Sequence, residues 1–346
     1  MNTYGNILRI SIFGESHGKL IGVVMDGIPA GIPICEDDFL KDLGRRKSGG
    51  FGTTPRIERD LPNIVSGVYE GRTTGAPLTV TFENGNTHSE DYSTFRQRPR
   101  PGHADFVAGV KYKGFNDIRG GGHFSGRMTL CLVAAGVVAK KIAGGITFTA
   151  GLTELGGIAL PGGKCITSED ISEHFPEEWT DALNDASRAG DSIGGIIECK
   201  CKNVPVGLGE PFFNSIESGI AHLVFSVPAT RGIEFGDGFA AAGMKGSEHN
   251  DCLADGEGHT QKNGAGGING GISNGSPIVF RVAVKPTSSI AALQKSYDFS
   301  QDAVCEFSVP GRHDTCVALR CLPVIEAAAA ITIADNLLMN NIFVKI

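Results

Sequence analysis

Long apolar runs, a secretory leader and paired-cysteine motifs are all missing from this chain of 346 residues. Its longest apolar stretches, CLVAAGVVA and AAAAITIA, fall far below the roughly 18 residues that a membrane span requires, so no membrane partner is expected. The opening MNTYGNILRI carries no basic segment leading into an apolar one, so no signal peptide is expected and the expected compartment is the cytoplasm. Nine cysteines include no C-x-x-C pair. Cys199 and Cys201 would share one face of a strand, but two thiols make no zinc site. Reduced, mostly buried thiols are expected instead. Basic charge is also in short supply: 31 Lys and Arg against 38 Asp and Glu leave a formal charge of -7. A nucleic-acid footprint is basic, and here aromatics do not interleave with the cations, which counts against an RNA-binding module.

Glycine is plentiful, with 49 residues, about twice the usual share. No G-X-Y period accompanies it, so collagen is excluded, and the clusters suggest loops where the backbone approaches something closely. At 41% hydrophobic the chain can build a globular core. NILRISIFG reads as a strand with Leu8, Ile10 and Ile12 on one side, and GAPLTVTFEN, GGIIECKCKNVPVGLG and SPIVFRVAVKPTSSI also read as strands. CEDDFLKDLGRR has the charge order of a short helix, acidic first and basic last. A strong helical pattern follows RGGG, with Ser125 and Arg127 in its first turn and Lys140 and Lys141 at its end. TSEDISEHFPEEWTDALNDASRAG is helical with a break near Pro176, and LPVIEAAAAITIADNLL is a buried helix. No clean internal repeat and no linker is legible. One interwoven α+β domain over residues 1–346 is expected.

Chemistry-bearing groups are scattered. His17 lies in FGESHG, a glycine-flanked turn that would expose an imidazole; a surface histidine in a tight turn fits this stretch alone at least as well. RQRPRPGHAD gathers Arg96, Arg98 and Arg100 before His103, and its prolines hold the backbone extended and splay the guanidiniums toward phosphate or carboxylate oxygens. Arg45, Arg46, Lys47 and Arg56 form a second cationic group, which is ordinary on a solvated face. Gly120, Gly121 and Gly122 before a helix suit an anion, but without a G-x-G-x-x-G or a Walker lysine the signal is weak. KPTSSI offers Lys285, Thr287, Ser288 and Ser289 as phosphate donors. GRHD adds Arg312, His313 and Asp314, a general base or a salt-bridge partner. No motif has metal-ligand spacing.

Taken in order, FGESHG, GVVMDGIPAGIPI, LGRRK, SGVYEGRTTGAPL, RPGHAD, RGGG, VAAGVVAKK, GIEFGDGF, GGINGGISNG, KPTSSI and GRHD resemble the chorismate synthase family over nearly the whole chain. The resemblance implies a lyase that eliminates phosphate from 5-enolpyruvylshikimate 3-phosphate in a 1,4 sense to give chorismate. It also implies reduced FMN with no net redox change, and an external flavin reductase, since the chain has no evident extra domain for that task. By the same resemblance His17 protonates the departing phosphate, His103 sits near the flavin, and Asp314 is the carboxylate that works with the flavin in removing the ring proton. Arg45, Arg46 and Arg100 correspond to substrate or NADP positions. His123, Phe124, Ser125, Ala229, Gly270, Lys285, Pro286, Thr287, Ser288, Ser289 and Arg312 correspond to FMN contacts. The chain departs from the usual pattern at His123-Phe124, where many members carry Arg-Ser, at Pro228, and around Gly52, where a further arginine is common. The implied fold is a β-α-β sandwich, two antiparallel sheets around a helical core, assembled as a homotetramer. A flavin oxidoreductase using the same pocket is the alternative.

Overall fold

Alternating apolar residues fold into two antiparallel sheets in a computed structural model that describes the chain except residues 55–58, 86–89, 173–174, 310, 312 and 344–346. The first sheet has the order β1 (Thr3–Tyr4), β2 (Arg9–Gly14), β3 (Leu20–Asp26), β7 (Leu78–Glu83), β4 (Asn63–Ser66), with a small hairpin β5–β6 (Val68–Tyr69, Arg72–Thr73) beside it. Leu8 and Ile10 are buried as their spacing predicts, and Ile12 is half-buried. In the second sheet the order is β10 (Ile166–Thr167), β8 (Thr147–Leu155), β11 (Gly195–Lys202), β15 (Ile278–Val284), β12 (Thr230–Phe235), with β9 (Ile158–Ala159) on β8. Two further hairpins, β13–β14 (Ile268–Asn269, Ile272–Ser273) and β16–β17 (Gln294–Asp298, Ala303–Phe307), stand apart. Cys199 and Cys201 do share a face of β11, fully buried, and all nine cysteines are free thiols.

Helices α1 (Asp37–Arg46), α3 (Thr129–Ala143) and α7 (Ala318–Phe343) fill the space between the sheets. α3 lies against β2 and β3, α7 against β8 and β11, and the two helices pack on each other. Their crossing is close because it is made of small residues: a Cβ at Gly136 would stand 2.4 Å from the Cβ of Ala327. α7 is long and apolar enough to cross a membrane, yet 89% of its most apolar stretch is buried inside the protein, where two sheets and α3 supply the apolar surroundings. α2 (Asp105–Lys111), α4 (Glu177–Arg188), α5 (Ile216–Ser226) and α6 (Gly246–His249) lie outside this crossing. α4 begins directly after Pro176, and between β10 and that proline the described residues form a single 3-10 turn, Asp170–Ser172.

Two expectations need correction. Ser125 and Arg127 do not open α3, which starts at Thr129. Gly120, Gly121 and Gly122 have φ of 59°, 82° and 55°, a left-handed run that no right-handed helix can include. Ser125 instead caps the short turn Gly126–Met128, its Oγ accepting from Arg127 N at 3.3 Å.

The second correction is that the chain does contain an internal repeat. With α2 in the first half and β9, β10, α4, α6 and β16–β17 in the second set aside as insertions, both halves run strand, strand, helix, strand, hairpin, strand, helix: β2, β3, α1, β4, β5–β6, β7, α3, then β8, β11, α5, β12, β13–β14, β15, α7. The corresponding strands also take the same order, β2-β3-β7-β4 and β8-β11-β15-β12. The hairpins match in detail. Gly67, Gly71 and Gly75 have φ of 84°, 70° and 86°; Gly267, Gly271 and Gly275 have 82°, 85° and 94°. Thr73 Oγ1 donates to Pro29 O at 2.7 Å and accepts from Ile32 N at 2.9 Å. Ser273 Oγ donates to Pro205 O at 2.6 Å and accepts from Leu208 N at 2.9 Å. A repeat held by backbone conformation leaves few marks in a sequence beyond glycines, one proline and a hydroxyl.

Candidate active site

His17 occupies a tight turn between β2 and β3, closed by Gly18 N donating to Glu15 O at 3.0 Å. The imidazole is buried, 5% exposed, with its edge against the Tyr92 ring at 5.1 Å between centroids. Its other neighbour is the glycine run. A Cβ on Gly120 would fall 2.1 Å from His17 Nδ1, and one on Gly121 would fall 3.5 Å from His103 Nε2. Ser16 N donates to Gly122 O at 3.2 Å. The three glycines are therefore the thin wall that lets two imidazoles approach the same loop.

His103 is oriented by Asp105 at the start of α2, with Nδ1 2.6 Å from Oδ1. The same carboxylate grips Arg100 through Nε and Nη2, both at 2.8 Å, and its backbone N at 3.0 Å. Burial would push the Asp105 carboxyl up, but hydrogen bonds from Arg100 and His103 outweigh it and hold the group far below the usual carboxylate range. With Nδ1 committed to Asp105, Nε2 is the nitrogen that faces Gly121 and can exchange a proton.

The three arginines of RQRPRPGHAD are splayed, as the prolines predict, but each finds a partner within the protein. Arg96 donates to Gly114 O at 2.6 Å, Arg98 pairs with Asp298 at 3.0 Å, and Arg100 lies over the Phe95 ring at 4.5 Å while donating to Ser289 Oγ at 3.1 Å. Their work in this structure is to fix the His103 loop.

KPTSSI closes the site from the second half of the chain. Ser288 Oγ accepts from Lys285 Nζ at 2.9 Å and donates to Gly102 O at 2.8 Å, which ties the segment to the His103 loop. Thr287 Oγ1 donates to Asp314 O at 3.2 Å, which ties it to GRHD. Pro286 stands between Lys285 and Thr287. Lys285 N donates at 2.9 Å to the carbonyl of Ala229, whose φ of 72° is uncommon for a residue with a side chain. Burial, and then the nearby charge of Arg231, push the Lys285 ammonium below its ordinary range. Two cations placed so close suit an anionic ligand. Arg231 was missed by sequence reasoning, although a basic residue two positions past Ala229 was its signal.

The Asp314 carboxylate accepts from Thr54 N at 2.8 Å and pairs with Arg320 at 2.9 Å. Arg320 Nε donates to Arg46 O at 3.0 Å. Arg46 itself is buried, with Nε on Thr129 Oγ1 and Nη2 on Gly126 O, both at 3.0 Å, and Nη1 3.5 Å from Asp60. Arg45 points elsewhere, into the helical layer, where Glu326 accepts from it at 2.8 and 2.6 Å. Lys140 and Asp42 complete that cluster. Burial raises the Glu326 carboxyl, and the hydrogen bonds and charges of Arg45 and Lys140 more than reverse the effect.

His123 and Phe124 pack at 4.1 Å between ring centroids with their planes tilted by 32°, and Tyr112 stands beside them at 5.5 and 6.3 Å. Gly270 stands apart from these loops, in the β13–β14 turn next to α5, where Ile216 N donates to Gly271 O at 3.1 Å. Arg312 and Arg56 lie outside the described residues.

With this geometry in view, the family model for chorismate synthase matches residues 8–338. The chain belongs to the chorismate synthase family. It is 57% identical over 342 residues to the chorismate synthase of Chitinophaga pinensis, covering 99% of this chain and 98% of that one. To the chorismate synthase of Thermococcus kodakarensis it is 43% identical over 346 residues, covering 97% and 98%. A solved crystal structure of chorismate synthase superposes with a TM-score of 0.72 at 28% identity, covering 97% of this chain and 93% of that one. Membership in this family carries the activity of a lyase, chorismate formation in the shikimate pathway.

Proposed function

We propose that the chain acts as one domain and converts 5-enolpyruvylshikimate 3-phosphate to chorismate at the junction of its two halves. The bond from ring carbon to phosphate oxygen breaks, a ring C–H breaks, and phosphate leaves as the anion. His17 supplies a proton to the departing phosphate, and Asp314 assists removal of the ring proton. His103, with Nδ1 fixed by Asp105, presents Nε2 toward the cofactor. The observation that carries this reading is the glycine run, whose backbone meets His17 at Gly120 and His103 at Gly121.

The proposed cofactor is reduced FMN, which when bound supplies an electron that is returned within the same turnover. The residues fit such a group. Lys285 and Arg231 present adjacent charges, Ser288 and Ser289 present hydroxyls, and Ala229 abuts Lys285. His123, Phe124 and Ser125 offer an aromatic and hydroxyl edge, with Gly270 and Arg312 as further proposed contacts. Arg46, Arg45 and Arg100 are proposed to serve substrate or NADP binding through the loops that they hold. A homotetramer is proposed in line with Phe115, Phe212 and Phe213, each 91% exposed, rings that self-association would cover. A cytoplasmic setting and an external flavin reductase complete the reading.

The test is stoichiometric. With dithionite-reduced FMN under anaerobic conditions, phosphate and chorismate are expected in equal amounts with no flavin oxidised per turnover. One reduced flavin consumed per product would reject the lyase in favour of an oxidoreductase. His103→Ala and Asp314→Asn are expected to lose about 100- to 10,000-fold in turnover, with far smaller effects on FMN affinity.

A further inference from the structure

We propose that Asn84 is the positioning residue for His17, an inference that rests on the catalytic role given to that histidine above. Asn84 follows β7 and reaches across to the His17 turn. Its Nδ2 donates to Glu15 O at 3.0 Å and to Gly18 O at 2.9 Å, so one carboxamide staples both ends of the four-residue turn. Its Oδ1 accepts from Arg127 Nε at 2.6 Å. An amide is the side chain for this place: two carbonyls need donors on one side and a guanidinium needs an acceptor on the other. A carboxylate of the same shape would set anionic oxygens against both carbonyls.

Arg127 is itself anchored. Its Nη1 pairs with Asp60 at 2.9 Å, its Nη2 reaches Glu83 O at 3.4 Å, and its backbone N is capped by Ser125. Asp60 also faces Arg46, whose backbone carbonyl accepts from Arg320, which in turn grips Asp314. A chain of polar contacts, buried at Arg127, Asp60 and Arg46 and half-buried at its two ends, therefore runs from the His17 turn to Asp314, and Asn84 is its end at the histidine. Such networks hold reacting groups in register, and a shift of about 1 Å costs roughly 100-fold in rate.

A double-mutant cycle tests this. Asn84→Ala is expected to lower kcat about 10- to 100-fold while the FMN Kd stays within about twofold. In the His17→Ala background the same substitution is expected to cost no more than about twofold, because nothing remains for Asn84 to position. Asn84→Ser, which keeps one donor, is expected to fall between Asn84→Ala and the parent, and it serves if Asn84→Ala fails to fold. Losses that multiply in the double variant would overturn the inference while leaving the role of His17 intact. His17→Ala with undiminished kcat would overturn both.

Discussion

Gly120→Ala is the sharpest perturbation that the site offers. The φ of 59° at this position already disfavours a side chain, by roughly 1–2 kcal/mol. The larger effect is steric. The new methyl would stand 2.1 Å from His17 Nδ1, 2.2 Å from Cε1 and 2.8 Å from Ser16 Oγ, where ordinary contact begins near 3.4 Å. His17 has little room to retreat, because Tyr92 stands on another side and the turn is stapled by Asn84. Overpacking of this kind costs about 1–3 kcal/mol, and an imidazole driven back by about 1 Å loses roughly 100-fold in rate. Gly121→Ala provides the internal comparison: its φ of 82° carries the same backbone cost, but its methyl meets His103 at an ordinary 3.5 Å. Both variants would be assayed anaerobically for chorismate formation with reduced FMN, and their melting temperatures recorded. Turnover is expected to fall much further in Gly120→Ala than in Gly121→Ala. Equal losses, or a Gly120→Ala enzyme within twofold of the parent, would show that the loop does not press on His17.

Gly136→Ala tests the core. Its methyl would stand 2.4 Å from Ala327 Cβ, so the expected loss of about 1–3 kcal/mol exceeds the helix-propensity gain of up to about 1 kcal/mol, and calorimetry should register a lower Tm. Asp105→Asn tests the His103 clamp. The carboxyl is depressed in the folded state, so it stabilises above the unfolded value near 4 and loses that contribution as pH falls below it. The wild type should therefore lose stability between about pH 4 and pH 2 more steeply than Asp105→Asn. At neutral pH the variant leaves Arg100 buried without its anion, a loss of about 3–5 kcal/mol measurable by denaturant titration.

Much of the fold was legible because its signals are local. The alternation around Ile10, the charge order of α1 and the apolar α7 all reside in neighbouring residues. The motif series pointed to the family on the same local footing. What escaped notice depends on distant partners. Asp105 lies five residues from Arg100 and was in view, whereas Asp298, which takes Arg98, comes from the far end of the chain. Arg45 and Arg46 read as one cationic face, yet α1 turns the first toward Glu326 and the second toward Asp60. RGGG suggested an anion turn, because nothing in the sequence tells which side chains occupy the space that its missing Cβ atoms leave. The internal repeat was hidden because what its halves share is positive-φ glycines and hydroxyl-to-carbonyl hydrogen bonds, which a reading of apolar patterns does not detect.

That repeat also bears on the proposed roles of His17 and Asp314. In each half, the segment leading into the core helix bonds to the chain between the first two strands, Gly122 O to Ser16 N and Thr315 O to Ile193 N at 2.8 Å. Ser125 precedes α3 by four residues and Asp314 precedes α7 by four. The first half uses this position for a hydroxyl cap and gives its strand turn His17, whereas the second half places the Asp314 carboxylate ahead of its helix. The proposed mechanism asks for a proton donated at one end of the substrate and a proton withdrawn at the other, which two identical half-sites would not supply. Exchanging the pair, with Ser125→Asp and Asp314→Ser in one chain, keeps the inventory of groups but reverses their places. Turnover should then fall at least as far as in Asp314→Asn alone, and recovery of activity would show that the position of the carboxylate is immaterial.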